Sequence, residues 1–355
     1  MPAGLPARAH VITGGFPPGQ DAGHDHDYAR LRLLELLHDA EVPASTAGDF
    51  TDIQKWLPVS RLLITYVAGP YPDAEQTAVI RRWVEEGGHW LGLHGTAGGR
   101  AVRVEGMRQR RMLKLEHHSL LGGYFLTHPP IRRFTVDVGD APDTLTNGLP
   151  ASFEVADEPY FIEIQDPATT RVLLTTRYGP EAVSAAIGTI YDQDTSLMED
   201  GKTRALGYVR DLGRGGVTYI ALGHCHNPTN NSQPSVDRSV HPEGTTPLTF
   251  RDPWETAAFQ TLLRNGLTWG MGASAGSATL RGVRVGSRAL LPVLSLPQTW
   301  PAGERPGRPR PRPPLPTVEG PVRSLTKAVT DPCPPGRRRG RRRGRSSPTR
   351  CRTRR

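Results

Sequence analysis

Residues 89–99 of the chain read HWLGLHGTAGG, and this stretch decides the fold. An apolar run ends there in a Gly-x-His-Gly turn, and small residues follow it. The pattern is typical of a nucleophile elbow, in which a strand turns sharply into a helix and holds one side chain above the edge of a sheet. Hydrolases place serine at the apex of such an elbow and glutamine amidotransferases place cysteine, whereas this chain places His94 there.

Strand and helix patterns alternate on both sides of this elbow. Apolar runs at 9–15 and 61–67 predict strands, while residues 27–40 and 72–88 have the apolar spacing of amphipathic helices. Asp27 is expected to cap the first of these helices. Strands that alternate with helices of this length predict an α/β fold with a doubly wound, mostly parallel sheet and helices on both of its faces.

The second half of the chain is richer in strands. The segment DLGRGG, residues 211–216, predicts a β-hairpin, and residues 253–270 predict a helix that closes the domain. Antiparallel strands are therefore expected to extend the parallel sheet. The predicted strands of this half are 131–138, 159–164, 170–176, 204–212 and 215–224.

The net charge of +9 combines two regions of opposite sign. Residues 273–355 contain 20 of the 44 basic residues and 3 of the 35 acidic residues. Residues 1–272 therefore contain 24 basic and 32 acidic residues. Residues 1–272 are therefore expected to form one mildly acidic domain. Residues 273–355 contain PGRPRPRPPLP and GRRRGRRRGR and have few aromatic residues, so they are predicted to form a disordered tail.

Several roles are open for this predicted tail. Its arginines could bind nucleic acid or another anionic surface, and its prolines could bind a protein partner. The composition favours a dispensable extension, because so much Arg, Pro, Gly, Ala and Ser also resembles out-of-frame translation of GC-rich DNA. Nucleic acid is thus expected as a partner through the tail alone, if at all.

Cysteine content and hydropathy indicate the compartment. Cys225, Cys333 and Cys351 form no C-x-x-C pair, so neither a disulfide framework nor a zinc ribbon is expected. The first residues, MPAGLPARAHVITGG, lack the apolar core of a signal peptide, and no run approaches the roughly 20 apolar residues of a membrane span. A soluble cytoplasmic protein without a membrane partner is expected.

Histidines follow three of the predicted parallel strands. In an open sheet of this kind, ligands bind at the carboxyl ends of the strands. His24 and His26 come after the first strand, His94 ends the strand before the elbow, and His224 ends the last predicted strand. Of the first pair His26 is favoured, because it abuts the N-terminus of a helix, where an anionic ligand is also stabilised. The three loops are expected to meet at one edge.

Two kinds of chemistry suit these residues. Imidazole titrates near neutral pH, so His94 and His224, with Glu158 as a proton shuttle, could move protons beside a carbonyl group. Asp157 precedes Glu158, and paired carboxylates can raise the pKa of one member. Alternatively, imidazoles from His26, His94 and His224 with a carboxylate would hold a divalent metal such as zinc. Both chemistries stay open, as do solvated-loop roles for each residue.

Seven segments of the chain occur in an order that can be compared with known families: VITGG (11–15), HDYARLRLLELL (26–37), GLHGTAG (92–98), LGGYFLTHPPI (121–131), GLPASFEVADEPYF (148–161), GRGGVTYIALGH (213–224) and LLRNGLTW (262–269). In this order they resemble the conserved blocks of the trehalose-utilisation (ThuA-like) family, and the resemblance covers about residues 9–272. It implies a class I glutamine amidotransferase-like, flavodoxin-like fold in which the amidotransferase cysteine is replaced, in agreement with the elbow at His94.

Single positions of the family's motifs can be matched in this chain. It departs from the family at Pro159, which replaces a bulky residue, and after His224, where CHNPTNNSQ is unlike the Gly/His/Tyr-rich loops of similar proteins. The HD motif matches His26 and Asp27, the GLH turn matches His94, the DE-x-Y motif matches Asp157, Glu158 and Tyr160, and the LGH motif ends at His224.

The resemblance implies a role in disaccharide or keto-sugar utilisation and names no reaction. We expect a sugar-processing enzyme with His94, Glu158 and His224 as catalytic residues, acting on a small sugar or keto-sugar, with a homo-oligomeric state left open. The alternative is a sugar-binding or regulatory module that has lost its nucleophile. Glutaminase activity is not expected, because imidazole cannot replace a thiolate as a durable acyl carrier. The expected substrate-binding residues are Gly14, Gly15, Asp27, Gly95, Thr96 and Tyr160.

Overall fold

Fourteen strands and six α-helices form the part of the chain that the computed structural model describes, residues 7–15, 23–107, 110–178 and 189–272. The strands are β1 (Ala9–Gly14), β2 (Ala44–Ala47), β3 (Leu62–Val67), β4 (His89–Leu93), β5 (Arg100–Arg103), β6 (Arg110–Leu113), β7 (Gly123–Thr127), β8 (Arg132–Val138), β9 (Ser152–Asp157), β10 (Phe161–Ile164), β11 (Thr170–Arg177), β12 (Thr189–Ile190), β13 (Thr203–Leu212) and β14 (Gly215–Ile220). The helices are α1 (His26–Asp39), α2 (Ile53–Trp56), α3 (Ala74–Glu85), α4 (Glu116–Leu121), α5 (Asp252–Glu255) and α6 (Ala257–Met271).

Five parallel strands form one half of the main sheet. Their order is β2-β1-β3-β4-β14, and every neighbouring pair among them is parallel. This is the 2-1-3-4-5 order of a flavodoxin-like, doubly wound sheet. Helices α1 and α6 contact each other and share β3 as a neighbour, whereas α3 contacts α2, α4 and β14. The predicted α/β fold class is confirmed.

Four antiparallel strands extend the sheet in the order β14-β13-β11-β8-β9. The predicted hairpin is present, with Leu212 of β13 paired to Gly215 of β14. Four successive antiparallel pairings make β9 run in the same direction as β14. Its carboxyl end therefore points toward the edge at which the parallel strands end.

Apolar burial explains why these strands form. All six residues of β3 and all six of β14 are buried, as expected for strands covered on both faces. Helix α3 buries Ile80, Trp83 and Val84 and begins with a capping box formed by Asp73 and Gln76. These local signals agree with the global fold, so the parallel half is predictable from the sequence.

The start of α1 differs from the prediction. Asp25, and not Asp27, is the N-cap, since its carboxylate accepts a hydrogen bond from the Tyr28 N–H at 3.1 Å. The helix therefore begins one residue earlier, at His26. Asp27 lies in the first turn, where it is 90% exposed and pairs with Arg30 at 2.6 Å.

Two elements of the second half also differ from the prediction. The predicted strand at 159–164 begins only at Phe161, and as β10 it pairs with β7 outside the main sheet. The predicted helix at 253–270 is divided into α5 and α6 by Thr256, whose hydroxyl caps α6 by accepting from the Phe259 N–H. A further three-stranded sheet, β12-β6-β5, was not predicted.

The described residues all belong to one unit of the chain, Met1–Arg284. The predicted tail, residues 273–355, lies outside the described residues. In the described ranges, every helix is too short or too polar to cross a lipid bilayer.

Candidate metal centre

His94 occupies the apex of the predicted elbow. It follows β4 directly with a φ of 41°, in the left-handed region that non-glycine residues seldom adopt. The chain then makes a single 3₁₀ turn, His94–Ala97, in place of the expected longer helix. Gly95 is required there, because a Cβ at this position would lie 2.5 Å from the carbonyl oxygen of Val67.

Four side chains meet at the carboxyl edge of the sheet. His24 follows β1, His94 follows β4, His224 follows β14, and Glu158 follows β9. One ligand atom from each lies within 4.8 Å of those from the other three. We call these four residues the histidine–carboxylate cluster. The loops after β1, β4 and β14 thus meet at the edge where parallel strands of such a sheet end.

The two nitrogens of His94 have different partners. Its Nδ1 donates to the carbonyl oxygen of Ala221 at 2.7 Å, and its Nε2 lies 3.1 Å from Glu158 Oε2. Burial by itself lowers the pKa of His94, but the hydrogen bond and charge of Glu158 outweigh burial and raise it. The ring also stacks on Tyr160, with 4.1 Å between centroids.

A chain of hydrogen bonds fixes the tautomer of His224. His226 Nε2 lies 2.9 Å from the carbonyl oxygen of Pro247, which can only accept, so His226 carries its proton there. His226 Nδ1 must then accept from His224 Nε2, at 2.9 Å. The unprotonated Nδ1 of His224 therefore faces the cluster, 3.2 Å from Glu158 Oε2. Burial lowers the pKa of His224 to about 4, so the ring is neutral.

Glu158 is the charged member of the cluster. Its Oε2 faces His94 and His224, and its Oε1 accepts a hydrogen bond from Gln233 Nε2. Burial by itself raises the pKa of Glu158, but His128 first, and then the hydrogen bond with His94, hold it well below its usual range. The carboxylate is therefore ionised although it is only 2% exposed.

Asp157 holds the end of β9 against the loop after β14. Its carboxylate accepts from the backbone N–H groups of Gly223 at 2.7 Å, His224 at 3.0 Å and Glu158 at 2.8 Å. This contact joins β9, the last strand of the main sheet, to the loop after β14 across the three strands that lie between them. Burial raises the pKa of Asp157 to about 7 in spite of these donors.

The histidine that the loop after β1 contributes to the cluster is His24. The sequence had favoured His26 as the metal ligand from this loop. His26 is the first residue of α1, and its direction is set by the Asp25 cap that starts the helix. Its ring centroid lies 5.8 Å from that of His24 and 5.7 Å from that of Tyr66. His26 is thus a neighbour of the cluster, and His24 supplies the ligand atom from this loop.

The predicted substrate-binding residues are distributed more widely. Asp27 is exposed on the outer side of α1, and Thr96 donates its hydroxyl proton to the carbonyl oxygen of Thr65 at 2.9 Å. Gly14 permits a close backbone approach, because a Cβ there would lie 1.9 Å from the carbonyl oxygen of Gly48. Gly15 is half-buried beyond the end of β1. Of this set, Gly95 and Tyr160 adjoin the cluster through His94.

Two residues beside the cluster, Gln233 and His128, were not predicted from the sequence. Gln233 comes from the long polar loop after β14, and His128 comes from the end of β7, with its Nε2 3.9 Å from Glu158 Oε1. Neither position carries a local pattern that points to Glu158. For His128 the one available signal was its place in LGGYFLTHPPI, a segment of the family resemblance.

The donor set fits a divalent transition metal. Three imidazole nitrogens and one carboxylate oxygen are ligands that zinc and related metals prefer. His224 Nδ1 is buried and makes no hydrogen bond within the described residues, although it carries a lone pair. His94 Nδ1–H is held by a backbone carbonyl, the outer contact that typically directs the other ring nitrogen to a metal. The residues present could therefore hold a metal ion.

A cavity of about 230 Å³ lies away from this cluster, between Arg111, Tyr124, Glu163 and Asp192. Its charges are already matched, since Arg111 pairs with Asp192 at 2.6 Å and Lys114 pairs with Glu163 at 2.5 Å. Neutralised groups of this kind leave little charge to recognise a ligand. The histidine–carboxylate cluster is the stronger candidate site.

The fold and the cluster define the class of protein, which is a flavodoxin-like α/β protein. Its histidines and carboxylate lie at the carboxyl ends of the strands, where related folds bind ligands. Comparison with protein families matches residues 20–239, more than half of the chain, to ThuA, described as "Trehalose utilisation". The chain belongs to the ThuA family.

Solved structures similar to this chain include two ThuA-like proteins. The ThuA-like protein of Bacteroides uniformis is 18% identical to this chain. The match covers 76% of this chain and 95% of the Bacteroides uniformis chain, with a TM-score of 0.48. The ThuA-like protein of Parabacteroides merdae is 15% identical to this chain. The match covers 77% of this chain and 92% of the Parabacteroides merdae chain, with a TM-score of 0.49. No curated protein sequence matches the chain.

Proposed function

We propose that the protein is a metal-dependent enzyme acting on a sugar or keto-sugar, with a divalent metal such as zinc held by His24, His94, Glu158 and His224. The main support for the proposal is that one ligand atom from each of these four residues lies within 4.8 Å of the other three. The Nδ1 of His224 lies 3.2 Å from Glu158 Oε2, and such a buried contact is favourable only when a proton or a metal ion is shared between the two atoms. Metal binding would displace the proton that His94 otherwise shares with Glu158.

A bound metal would supply Lewis-acid polarisation of a carbonyl group and a lower pKa for a coordinated water. The chain's own residues perform the remaining tasks. Ala221 orients His94 through its carbonyl oxygen, and the His226 ring orients His224. Tyr160 stacks on His94 and restricts its rotation. The fully buried rings of His94 and His224 also keep bulk water from the ligand atoms.

The choice of a sugar as substrate rests on membership of the trehalose-utilisation family. The cluster is compatible with this choice, because within the described residues His94, Glu158 and His224 contact no lysine or arginine that would select an anionic substrate.

Metal-free acid–base catalysis is the main competing mechanism. It is favoured by the raised pKa of His94, which makes this ring a candidate proton donor beside the ionised Glu158. A sugar-binding or regulatory module without catalysis is favoured by a different observation: the side chains of His94 and His224 have no exposed surface. These alternatives predict a protein without stoichiometric metal or without turnover.

The test is elemental analysis of the purified full chain, wild type beside His94→Ala, followed by keto-sugar and disaccharide turnover assays. The proposal predicts near-stoichiometric divalent metal in the wild type, its loss in His94→Ala, and turnover that stops when a chelator removes the metal. Turnover by a metal-free wild type would favour acid–base catalysis. Metal or sugar binding without any turnover would favour the binding module.

A further inference from the structure

Gln233 reaches the cluster from the loop that follows β14. Its Nε2 donates a hydrogen bond to Glu158 Oε1, while Oε2 of the same carboxylate faces His94 and His224. An ionised carboxylate can only accept, so the amide nitrogen of Gln233 must be the atom that faces it. The amide oxygen, Oε1, therefore points away from Glu158.

The backbone of Gln233 is held on both sides. Its N–H donates to Asn231 Oδ1 at 2.9 Å, and its carbonyl oxygen accepts from the Thr246 hydroxyl at 3.0 Å. The two ends of the loop are also joined to each other by paired backbone hydrogen bonds between His226 and Phe250. These contacts define the direction of the Gln233 side chain, so its approach to Glu158 is a built feature of the loop.

The outward amide oxygen of Gln233 lacks a donor. It is shielded from solvent and makes no hydrogen bond within the described ranges of the chain. Leaving a buried acceptor without a donor is unfavourable, and a hydroxyl group from a bound molecule would satisfy it. His128 lies close by, with its Nδ1 2.8 Å from the Pro129 carbonyl oxygen and its Nε2 3.9 Å from Glu158 Oε1.

The buried amide oxygen of Gln233 beside Glu158 thus requires a hydrogen-bond donor. A hydroxyl group of a bound molecule can supply that donor, whereas an ionised phosphate or carboxylate group cannot. The amide oxygen therefore favours the hydroxyl groups of a polyhydroxylated ligand.

We propose that Gln233 has two roles at this site. Its amide nitrogen positions Glu158 so that Oε2 is free to bind the metal, and its amide oxygen accepts a hydrogen bond from a hydroxyl group of a neutral polyhydroxylated substrate. The inference rests on the proposed function, because it assumes that the cluster holds a metal. It goes further by assigning a positioning and specificity residue outside the four ligands.

The test compares Gln233→Met, which keeps side-chain length and removes both polar atoms, with Gln165→Met. Gln165 is a matched control, since its Nε2 also donates to a glutamate carboxylate, Glu163 Oε1 at 2.7 Å, away from the cluster. Zinc affinity is measured on the full chain by competition with a chelator. Trehalose, glucose, fructose and glucose 6-phosphate are then titrated calorimetrically into the zinc-loaded protein.

Loss of an outer contact to a metal ligand typically weakens metal binding by about 10–100-fold, and this is expected for Gln233→Met alone. The wild type is expected to bind at least one of the neutral sugars more tightly than glucose 6-phosphate, and Gln233→Met is expected to lose that binding. Thermal unfolding verifies that both variants fold.

Zinc affinity of Gln233→Met within twofold of wild type would overturn the positioning role. Preference for glucose 6-phosphate, absence of binding by all neutral sugars, or their undiminished binding by Gln233→Met would overturn the specificity role. If the wild type itself holds no metal, the proposed function fails first. A metal-loaded wild type with an unaffected Gln233→Met overturns this inference while the proposed function stands.

Discussion

The carboxylate of Asp157 accepts a hydrogen bond from the backbone N–H of His224 at 3.0 Å, and this contact joins the end of β9 to the loop after β14. The same carboxylate accepts from two further buried N–H groups, so Asp157→Ala would leave three donors unsatisfied. Each such donor costs about 1–3 kcal/mol, and we expect a loss of roughly 3 kcal/mol or more in the free energy of unfolding. Urea unfolding measures this change.

Asp200→Ala is the control for that variant. Asp200 also accepts from two backbone N–H groups, those of Lys202 and Thr203, but in an exposed turn where water can replace it. Its loss should cost less than about 1 kcal/mol. Equal destabilisation by the two substitutions would contradict the role assigned to Asp157.

His226 is expected to control metal affinity without touching the metal. Its Nδ1 accepts the proton of His224 Nε2, and the lone pair of His224 Nδ1 is thereby directed to the cluster. His226→Ala should weaken zinc binding by about 10–100-fold with little change in secondary structure. His241→Ala, in the same loop, should leave zinc affinity unchanged. An unaltered affinity in His226→Ala would show that the tautomer is fixed by other contacts.

The buried ring of His117 is expected to make the folded protein less stable in acid. It is buried in α4, where it stacks on Tyr71 at 5.0 Å, and burial first, then the neighbouring His118, holds its pKa well below the ordinary 6.5. Below pH 6.5 the unfolded chain binds a proton there that the folded chain does not, so the free energy of unfolding falls as pH decreases. One such group contributes a slope of about 1.4 kcal/mol per pH unit.

Chelator-treated protein, unfolded in urea between pH 7.5 and 5, would reveal this slope. His117→Gln should reduce it by up to about 1.4 kcal/mol per pH unit, whereas His38→Gln, on the exposed side of α1, should not. Identical slopes in wild type and His117→Gln would mean that His117 is protonated in the folded state.

Gly95 is expected to tolerate no side chain. A Cβ there would lie 2.5 Å from the carbonyl oxygen of Val67, and backbone on both sides would have to shift. Gly95→Ala should therefore reduce stability by about 1–3 kcal/mol and disturb His94. Gly48→Ala is the matched control, because a Cβ at Gly48 meets nothing within 4 Å. Thermal unfolding of both variants tests the difference.

The sequence predicts the parallel half of the fold well because its signals are local. Buried strands such as β3 are continuous apolar runs, and the glycines around His94 mark the elbow directly. The histidines at the strand ends follow from strand direction alone. The family resemblance agrees with the family found by comparison.

The contacts of the cluster depend on geometry that no local pattern contains. Asp157 and Glu158 contact the loop after β14 across three intervening strands, and the direction of β9 follows from four pairings along the sheet. Whether His24 or His26 enters the cluster depends on which aspartate caps α1. The two candidate caps, Asp25 and Asp27, are only two residues apart in the sequence. Gln233 comes from a loop without a periodic pattern.

Binding of one metal ion by His24, His94, Glu158 and His224 can be tested through the metal content of the protein. Metal content is determined by elemental analysis for full-length wild type, His24→Ala and His26→Ala purified side by side. We expect near-stoichiometric divalent metal in the wild type and in His26→Ala, and its loss in His24→Ala. A wild type without metal, or loss in His26→Ala with retention in His24→Ala, would contradict the account.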